Sequence, residues 1–144
     1  EYQSRLGHWV KKNAGIVIDL GSDWLFDVQV KRIHEYKRQL MNILYTIHRY
    51  LSIKAMTPEQ RKSVVARVVM FGGKAAPGYL NAKRIIRLVN EVAEVVNNDH
   101  STKNLLKVIF LPNYNVSNAE VIIPASDISQ HVPFSVLIDF DCRN

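Results

Sequence analysis

Residues 26–39 read FDVQVKRIHEYKRQ and combine a strand-like half with a strongly basic half. In the first half, bulky apolar residues alternate with polar ones, as they do in a buried strand. The second half places five basic side chains within eight residues: Lys31, Arg32, His34, Lys37 and Arg38. A strand therefore ends in a cluster of cations, where backbone N–H groups and positive side chains can bind one anion.

From Tyr36 onward the pattern becomes helical, because apolar residues recur every three or four positions as far as about Ala55. The expected apolar face of this helix comprises Tyr36, Leu40, Ile43, Leu44, Ile47 and Leu51. Strand-like and helix-like segments then alternate along the chain. The expected strands are 24–30, 66–71 and 107–111, and further helices are expected at 6–14, after Thr57-Pro58, around 85–96 and from about Asn118. This alternation predicts an α/β fold with a parallel sheet that is covered by helices on both faces.

Composition narrows the class of protein. The 144 residues, 47% apolar and 22% charged, suit one globular domain. We expect no transmembrane helix and no secretory signal, because no sufficiently long apolar run is present. The single cysteine, Cys142, leaves no internal disulfide and favours a reducing, cytoplasmic location. The histidines show no metal-ligand spacing, so no metal site is predicted. The net charge of +6 suggests an anionic ligand such as nucleic acid, a membrane headgroup or phosphate.

Two further turns follow predicted strands. Residues 72–79 read GGKAAPGY and residues 112–117 read PNYNVS. The first turn matches neither the dinucleotide-binding GxGxxG pattern nor the P-loop, so a structural turn and a phosphate-binding turn both remain open. In parallel sheets, however, ligands bind beyond the carboxyl ends of the strands. Both turns and the cationic cluster are expected at those ends, which predicts a site there.

From about Leu6 to His131 the sequence resembles the glycogen (α-1,4-glucan) phosphorylase family. The resemblance is carried by residues 26–39, 73–79, 110–117, 119–120 and 123–129. The resemblance implies a retaining glycosyltransferase with two Rossmann-like domains, the GT-B arrangement. Residues 1–131 would be part of the C-terminal domain, and residues 132–144 form a tail that diverges from the family. The implied reaction is phosphorolysis of glycogen, starch or maltodextrin to glucose 1-phosphate, with pyridoxal 5'-phosphate as cofactor. The implied partners are the α-1,4-glucan, inorganic phosphate, the rest of the phosphorylase chain and a second subunit in a homodimer.

The same resemblance assigns roles to individual residues. Catalytic roles fall to Arg32, Lys37 and His34, and substrate binding falls to Arg32, Tyr36, Lys37 and Tyr79. Cofactor binding falls to Lys31, Lys37, Tyr114, Asn115 and Val116. Asn115 stands where some members have arginine, and Lys74 matches the second loop. The lysine that forms the Schiff base with the cofactor lies in a family segment that this sequence does not contain, so we expect the chain alone to be inactive.

Other interpretations stand beside this one. Cations on a helix usually form a solvated face, a lone histidine is more often structural than catalytic, and tyrosines at helix starts usually pack. The chain could be a phosphate- or sugar-binding module without catalysis. It could also bind nucleic acid through its positive charge, although its aromatic residues are not interleaved as stacking platforms and no known binding motif is present. We therefore expect neither a nucleic acid nor a membrane as partner.

Overall fold

A four-stranded sheet is the framework of the chain, in a computed structural model that describes residues 1–19, 21 and 23–130. The strands are β1 (Trp24–Val30), β2 (Ala66–Gly72), β3 (Leu106–Leu111) and β4 (Ile128–Ser129). They lie in the order β3-β2-β1-β4, and every pairing is parallel. The predicted α/β fold with a parallel sheet is confirmed. The tail at 132–144 lies outside the described residues.

Helices connect the strands. They are α1 (Tyr2–Ala14), α2 (Gln39–Ala55), α3 (Pro58–Arg61), α4 (Leu80–Asn98) and α5 (Val116–Ile122), with 3-10 turns at Glu35–Lys37 and Ile123–Ala125. Local sequence signals set the ends of two of these helices. Gly15 ends α1 with a φ of 68°, and Thr57 begins α3 with a reciprocal capping box to Gln60. None of the helices in the described part of the chain is long and apolar enough to span a membrane.

Alternate residues of each strand pack on opposite faces of the sheet. In β2, Val68 and Met70 pack on the face covered by α1 and α5, whereas Val69 and Phe71 pack on the face covered by α2 and α4. β1 differs from this pattern. Phe26, Val28 and Val30 join the first apolar core, but the intervening Asp27 and Gln29 are buried and polar. The sheet therefore presents polar side chains to α2 along β1, one of its two inner strands.

The expected helix after β1 is wrong in two respects. It does not run unbroken from Tyr36, because Arg38 adopts a left-handed conformation with φ 57° between the 3-10 turn and α2. Its buried face was also misplaced, since Leu40, Leu44 and Leu51 are each between 44% and 57% exposed. The side chains that α2 buries are Gln39, Asn42, Ile43, Thr46 and Ile53.

The polar face of β1 explains this shift. Asn42 donates from Nδ2 to Oε1 of Gln29 at 2.9 Å, so an amide on α2 satisfies an amide on the strand. We call Asp27, Gln29, Gln39, Asn42 and Thr46 the buried polar layer. A hydrophobic pattern could not locate this interface, because polar groups occupy it on both sides.

Two smaller differences concern the C-terminal half. α5 begins at Val116 rather than near Asn118, because the Asn115 side chain accepts the Asn118 N–H at 3.0 Å and caps the helix earlier. Strand β4 was not predicted from the sequence. Its two residues pair with Asp27 and Val28 of β1, and a run this short carries no periodic signal.

Candidate functional site

The carboxyl ends of β1, β2 and β3 lie on one rung of the sheet. Val30 is paired with Gly72, and Gly72 is paired with Leu111. The segments that follow are called loop A (residues 31–38), loop B (73–79) and loop C (112–115). Because all three leave the sheet at the same level, the cationic cluster and both sequence-predicted turns lie at one edge. This part of the sequence prediction is confirmed.

Loops A and B remain joined beyond the strands by backbone hydrogen bonds. The Lys31 N–H donates to the Gly72 carbonyl at 2.9 Å, and the Ile33 N–H donates to the Lys74 carbonyl at 3.1 Å. Gly73 lies between these two bonds. A Cβ atom added to Gly73 would fall far inside contact distance of the Lys31 carbonyl oxygen and 3.0 Å from its carbon. The absence of a side chain at Gly73 is what allows the two loops to approach so closely.

A tight turn shapes loop A. The Lys37 N–H donates to the His34 carbonyl at 3.0 Å, and the Arg38 N–H donates to the Glu35 carbonyl at 3.1 Å. The His34 ring nitrogen Nδ1 accepts the Tyr36 N–H at 3.4 Å. This turn places Lys37 on the inside, with only 7% of its surface exposed, and leaves Arg32 and His34 exposed.

Two of the cations in loop A, Arg32 and Lys37, are not paired with carboxylates in the described part of the chain. The Lys37 ammonium lies 5.5 Å from the centroid of the Tyr36 ring, which offers a weak partner for a cation. Burying a cation without an anion is unfavourable. A bound anion beside loop A would supply the missing charge.

Aromatic rings connect loop A to loop B. The His34 ring lies 4.2 Å from the Tyr36 ring and 5.0 Å from the Tyr79 ring, measured between centroids. The Tyr79 hydroxyl donates to Oε2 of Glu35 at 2.7 Å, and the Asn81 amide donates to Oε1 at 2.8 Å. The one acidic side chain of loop A is thereby held by neutral donors and directed toward α4.

These hydrogen bonds also shift two pKa values. The bonds from Tyr79 and then Asn81 lower the pKa of the Glu35 carboxyl below its ordinary value. The same contact raises the pKa of the Tyr79 hydroxyl, chiefly because its proton is held by the carboxylate. Glu35 is therefore ionised and Tyr79 neutral at physiological pH.

Loop C adjoins the end of β2 through Tyr114, a half-buried residue that packs on the apolar core. One edge of its ring lies 3.6 Å from the place that a Cβ atom on Gly72 would occupy. Burial raises the pKa of the Tyr114 hydroxyl, so it stays protonated as a possible donor. Asn115 uses its side-chain oxygen to cap α5, and Val116 is the exposed first residue of that helix. The side-chain oxygen of Asn115 is therefore already used within the chain.

The structure brings together most of the residues that the sequence singled out. Arg32, His34, Tyr36, Lys37 and Tyr79 share one side-chain cluster or one short loop, with Lys31 and Lys74 on the backbone bonds that join loops A and B. Tyr114 reaches this edge through Gly72. No group of three or more potential metal ligands of the His, Cys, Asp or Glu type occurs in the described part of the chain.

Sequence reasoning missed the residues that hold loop A from inside, Gln29 and Gln39, and the acceptor Glu35 with its partner Asn81. A signal for Gln29 was present. Asp27 and Gln29 fall on the same face of an otherwise apolar strand, and buried polar residues at such spacing indicate a hydrogen-bonded layer beneath a site.

Comparison with known proteins identifies the family. The family model for carbohydrate phosphorylases matches residues 1–136. The chain is 61% identical over 128 residues to glycogen phosphorylase 2 of Dictyostelium discoideum, covering 89% of this chain and 12% of that protein. It is 58% identical over 130 residues to the α-glucan phosphorylase H isozyme of Vicia faba, covering 90% of this chain and 15% of that protein.

Identity to the glycogen phosphorylase of Saccharomyces cerevisiae is 53% over 131 residues, covering 85% of this chain and 14% of that protein. The chain thus spans between 12% and 15% of the length of these relatives. The match nevertheless extends through loops A, B and C and through every strand of the described sheet. This chain belongs to the carbohydrate phosphorylase family, whose members are glycosyltransferases of the GT-B fold.

Proposed function

We propose that this chain supplies the phosphate-binding edge of an α-1,4-glucan phosphorylase, which releases glucose 1-phosphate from glycogen, starch or maltodextrin. One observation carries the proposal: buried Lys37 and exposed Arg32, both in loop A, have no carboxylate partner among the described residues. Inorganic phosphate is the co-substrate of phosphorolysis, and its charge and oxygen geometry suit a guanidinium fork beside an ammonium.

Each residue of the edge would take a distinct part. Arg32 would bind two oxygens of the substrate phosphate, and Lys37 would stabilise the negative charge that develops as the glycosidic bond breaks. His34 and Tyr36 of loop A, together with Tyr79 of loop B, would line the pocket for the glucosyl unit. The ring contacts among these three side chains support that assignment, since they form one continuous apolar and hydrogen-bonding surface.

The phosphorylase family uses pyridoxal 5'-phosphate, and the residues present fit its phosphate group in part. Lys31 offers a cation, Tyr114 a half-buried hydroxyl, and Asn115 and Val116 backbone N–H groups. The cofactor would supply a phosphate group that exchanges a proton with the substrate phosphate. Lys37, buried behind the loop, would hold the two anions close by offsetting their repulsion.

Domain organisation and cellular setting follow from the same proposal. We infer that residues 1–131 form part of the C-terminal Rossmann-like domain, which would work with the rest of the phosphorylase chain in a homodimer. A relative from Arabidopsis thaliana carries the designation cytosolic, which supports a cytoplasmic location for this chain as well.

Titration of inorganic phosphate into the chain tests the proposal, with backbone amide chemical shifts as the readout. We expect the largest shifts in loop A, and Arg32→Ala should weaken the affinity about 10- to 100-fold, since hydrogen bonds to charged groups contribute about 1.5–3 kcal/mol. Arg87→Ala is the matched control. It removes the same charge from an exposed pair with Glu91 on α4 and should leave the affinity within about twofold.

Three results would count against the proposal. They are shifts spread evenly over the basic surface, equal losses of affinity in the two variants, and no binding at all. A second titration, with maltoheptaose, tests the sugar assignment separately. If phosphate binds and Arg32→Ala weakens that binding, but maltoheptaose does not bind, the phosphate role stands. The assignment of His34, Tyr36 and Tyr79 to the sugar is then contradicted.

A further inference from the structure

We propose that Gln29 and Gln39 are positioning residues, which fix the backbone of loop A from its inner side and so set the direction of Arg32 and Lys37. The inference rests on the proposed function, because the loop they hold carries the two cations assigned to phosphate. Neither glutamine is among the residues assigned to phosphate or to the sugar. Each acts through a main-chain group of loop A.

Gln39, the first residue of α2, is fully buried and bonds to two sites on the loop. Its Nε2 donates to the Arg32 carbonyl at 3.1 Å, and its Oε1 accepts the His34 N–H at 3.4 Å. One planar amide thus spans residues 32 to 34. It fixes the orientation of the peptide groups on both sides of the buried Ile33.

Gln29 holds the other end of the loop. Only 1% exposed, it donates from Nε2 to the Lys37 carbonyl at 3.0 Å, and its Oε1 accepts from Asn42. The chain of bonds continues, because Gln130 donates to Oδ1 of Asn42 at 3.4 Å and to Oδ1 of Asp27 at 2.7 Å. The backbone at Lys37 is therefore tied into the centre of the sheet.

These contacts are made at the expense of apolar burial. Helix α2 buries amides opposite β1 and leaves Leu40 and Leu44 almost half exposed. An apolar pair of similar volume would fill the same interface without the desolvation that buried amides require. Apolar side chains, however, could not form hydrogen bonds to the backbone carbonyls of Arg32 and Lys37. The direction of each carbonyl is coupled through the backbone to the direction of the side chain on the same residue.

The test compares Gln39→Met and Gln29→Met with a control variant that loses similar side-chain to backbone hydrogen bonds elsewhere in the chain. Asn97 provides it, since its amide donates to the Val108 carbonyl at 2.7 Å and accepts the Val108 N–H at 3.0 Å, away from loop A. For all variants of the 144-residue chain, three quantities are measured: affinity for inorganic phosphate, hydrogen exchange of the Lys37 and Arg38 amides, and the urea midpoint of unfolding. These two amides bond within loop A and not to either glutamine.

We expect Gln39→Met and Gln29→Met to weaken phosphate binding about 5- to 30-fold, as the loss of one or two hydrogen bonds implies. They should also speed exchange at Lys37 and Arg38. Asn97→Leu should lower the urea midpoint by a similar amount yet leave both loop readouts within about twofold of wild type. If Gln39→Met does not fold, Gln29→Met breaks a separate bond at Lys37 and gives the same comparison.

Two outcomes would overturn the inference. In one, both glutamine variants keep wild-type affinity and wild-type exchange at Lys37 and Arg38. In the other, Asn97→Leu weakens phosphate binding and speeds loop exchange as much as they do, which would mean a general loss of stability. If the wild-type chain does not bind phosphate, the proposed function fails, but the exchange comparison still decides whether the two glutamines hold the loop.

Discussion

Replacing Gly73 with alanine tests the close approach of loops A and B. The new Cβ atom would meet the Lys31 carbonyl group at a distance that backbone atoms cannot tolerate, with Ile33 Cδ1 a further 3.2 Å contact. Relief requires the two loops to separate. That movement would weaken one of the two backbone hydrogen bonds that join the loops beyond the strands. These run from the Lys31 N–H to the Gly72 carbonyl and from the Ile33 N–H to the Lys74 carbonyl.

The expected cost combines two effects. Overpacking at a site that cannot relax costs about 1–3 kcal/mol, and one weakened buried hydrogen bond adds about 1 kcal/mol. We therefore expect Gly73→Ala to lower the free energy of unfolding by about 2–4 kcal/mol. Gly78→Ala is the control, because a Cβ atom there meets nothing within 4 Å and the backbone is not left-handed. That change should be neutral or stabilise by up to about 1 kcal/mol through the unfolded state.

Urea unfolding measures the difference. Trp24 is buried in the core and Trp9 packs against it, so tryptophan fluorescence reports the loss of this packing. A lower midpoint for Gly73→Ala with an unchanged m-value, beside an unchanged or higher midpoint for Gly78→Ala, is the expected result. Equal midpoints for the two variants would refute the geometry at the strand ends, since a Cβ atom has space at Gly78 and none at Gly73.

Two further predictions concern acid stability and turnover. Hydrogen bonds from Tyr50, Lys54 and Ser101 lower the pKa of the Asp99 carboxyl, so its contribution to stability is present above the unfolded pKa of about 4 and is lost as pH falls through the lower folded pKa. Asp99→Asn should flatten the fall in urea midpoint from about pH 5 to pH 2, and an unchanged slope would contradict this. The chain incubated with pyridoxal 5'-phosphate, maltoheptaose and phosphate should yield no glucose 1-phosphate. In the proposed arrangement two domains position the site, and this chain matches only 12% to 15% of a relative's length. Product formation above a chain-free blank would show that account to be wrong.

The sequence was most informative where one side of an element is apolar. α4 was predicted correctly because Ile85, Val89 and Val96 recur at helical spacing and are all buried against an apolar sheet face. The strand ends were predicted because β-branched runs stop at glycine, proline or a cationic cluster. Since parallel strands carry their loops at one edge, placing the strands was enough to place the candidate site.

The same reasoning failed at α2 because its partner face is polar. Leucines at regular spacing indicate a buried stripe only if the facing strand offers apolar contacts, and Asp27 and Gln29 do not. The left-handed Arg38 was equally inaccessible. Non-glycine residues rarely adopt that conformation. The hydrogen bonds that close the turn join backbone groups of loop A, and such bonds leave no periodic pattern in the sequence.

The position of β4 has a consequence for synthesis on the ribosome. Phe26 of β1 bonds to Asp127, which lies 101 residues later in the chain. At about 5–20 residues per second, β1 leaves the ribosome about 5–20 s before the strand that covers its outer edge. During that interval the nascent chain exposes an unpaired edge, the feature through which unfinished sheets associate with one another. The charged Asp27 and polar Gln29, needed later inside the sheet, would disfavour such pairing between neighbouring nascent chains.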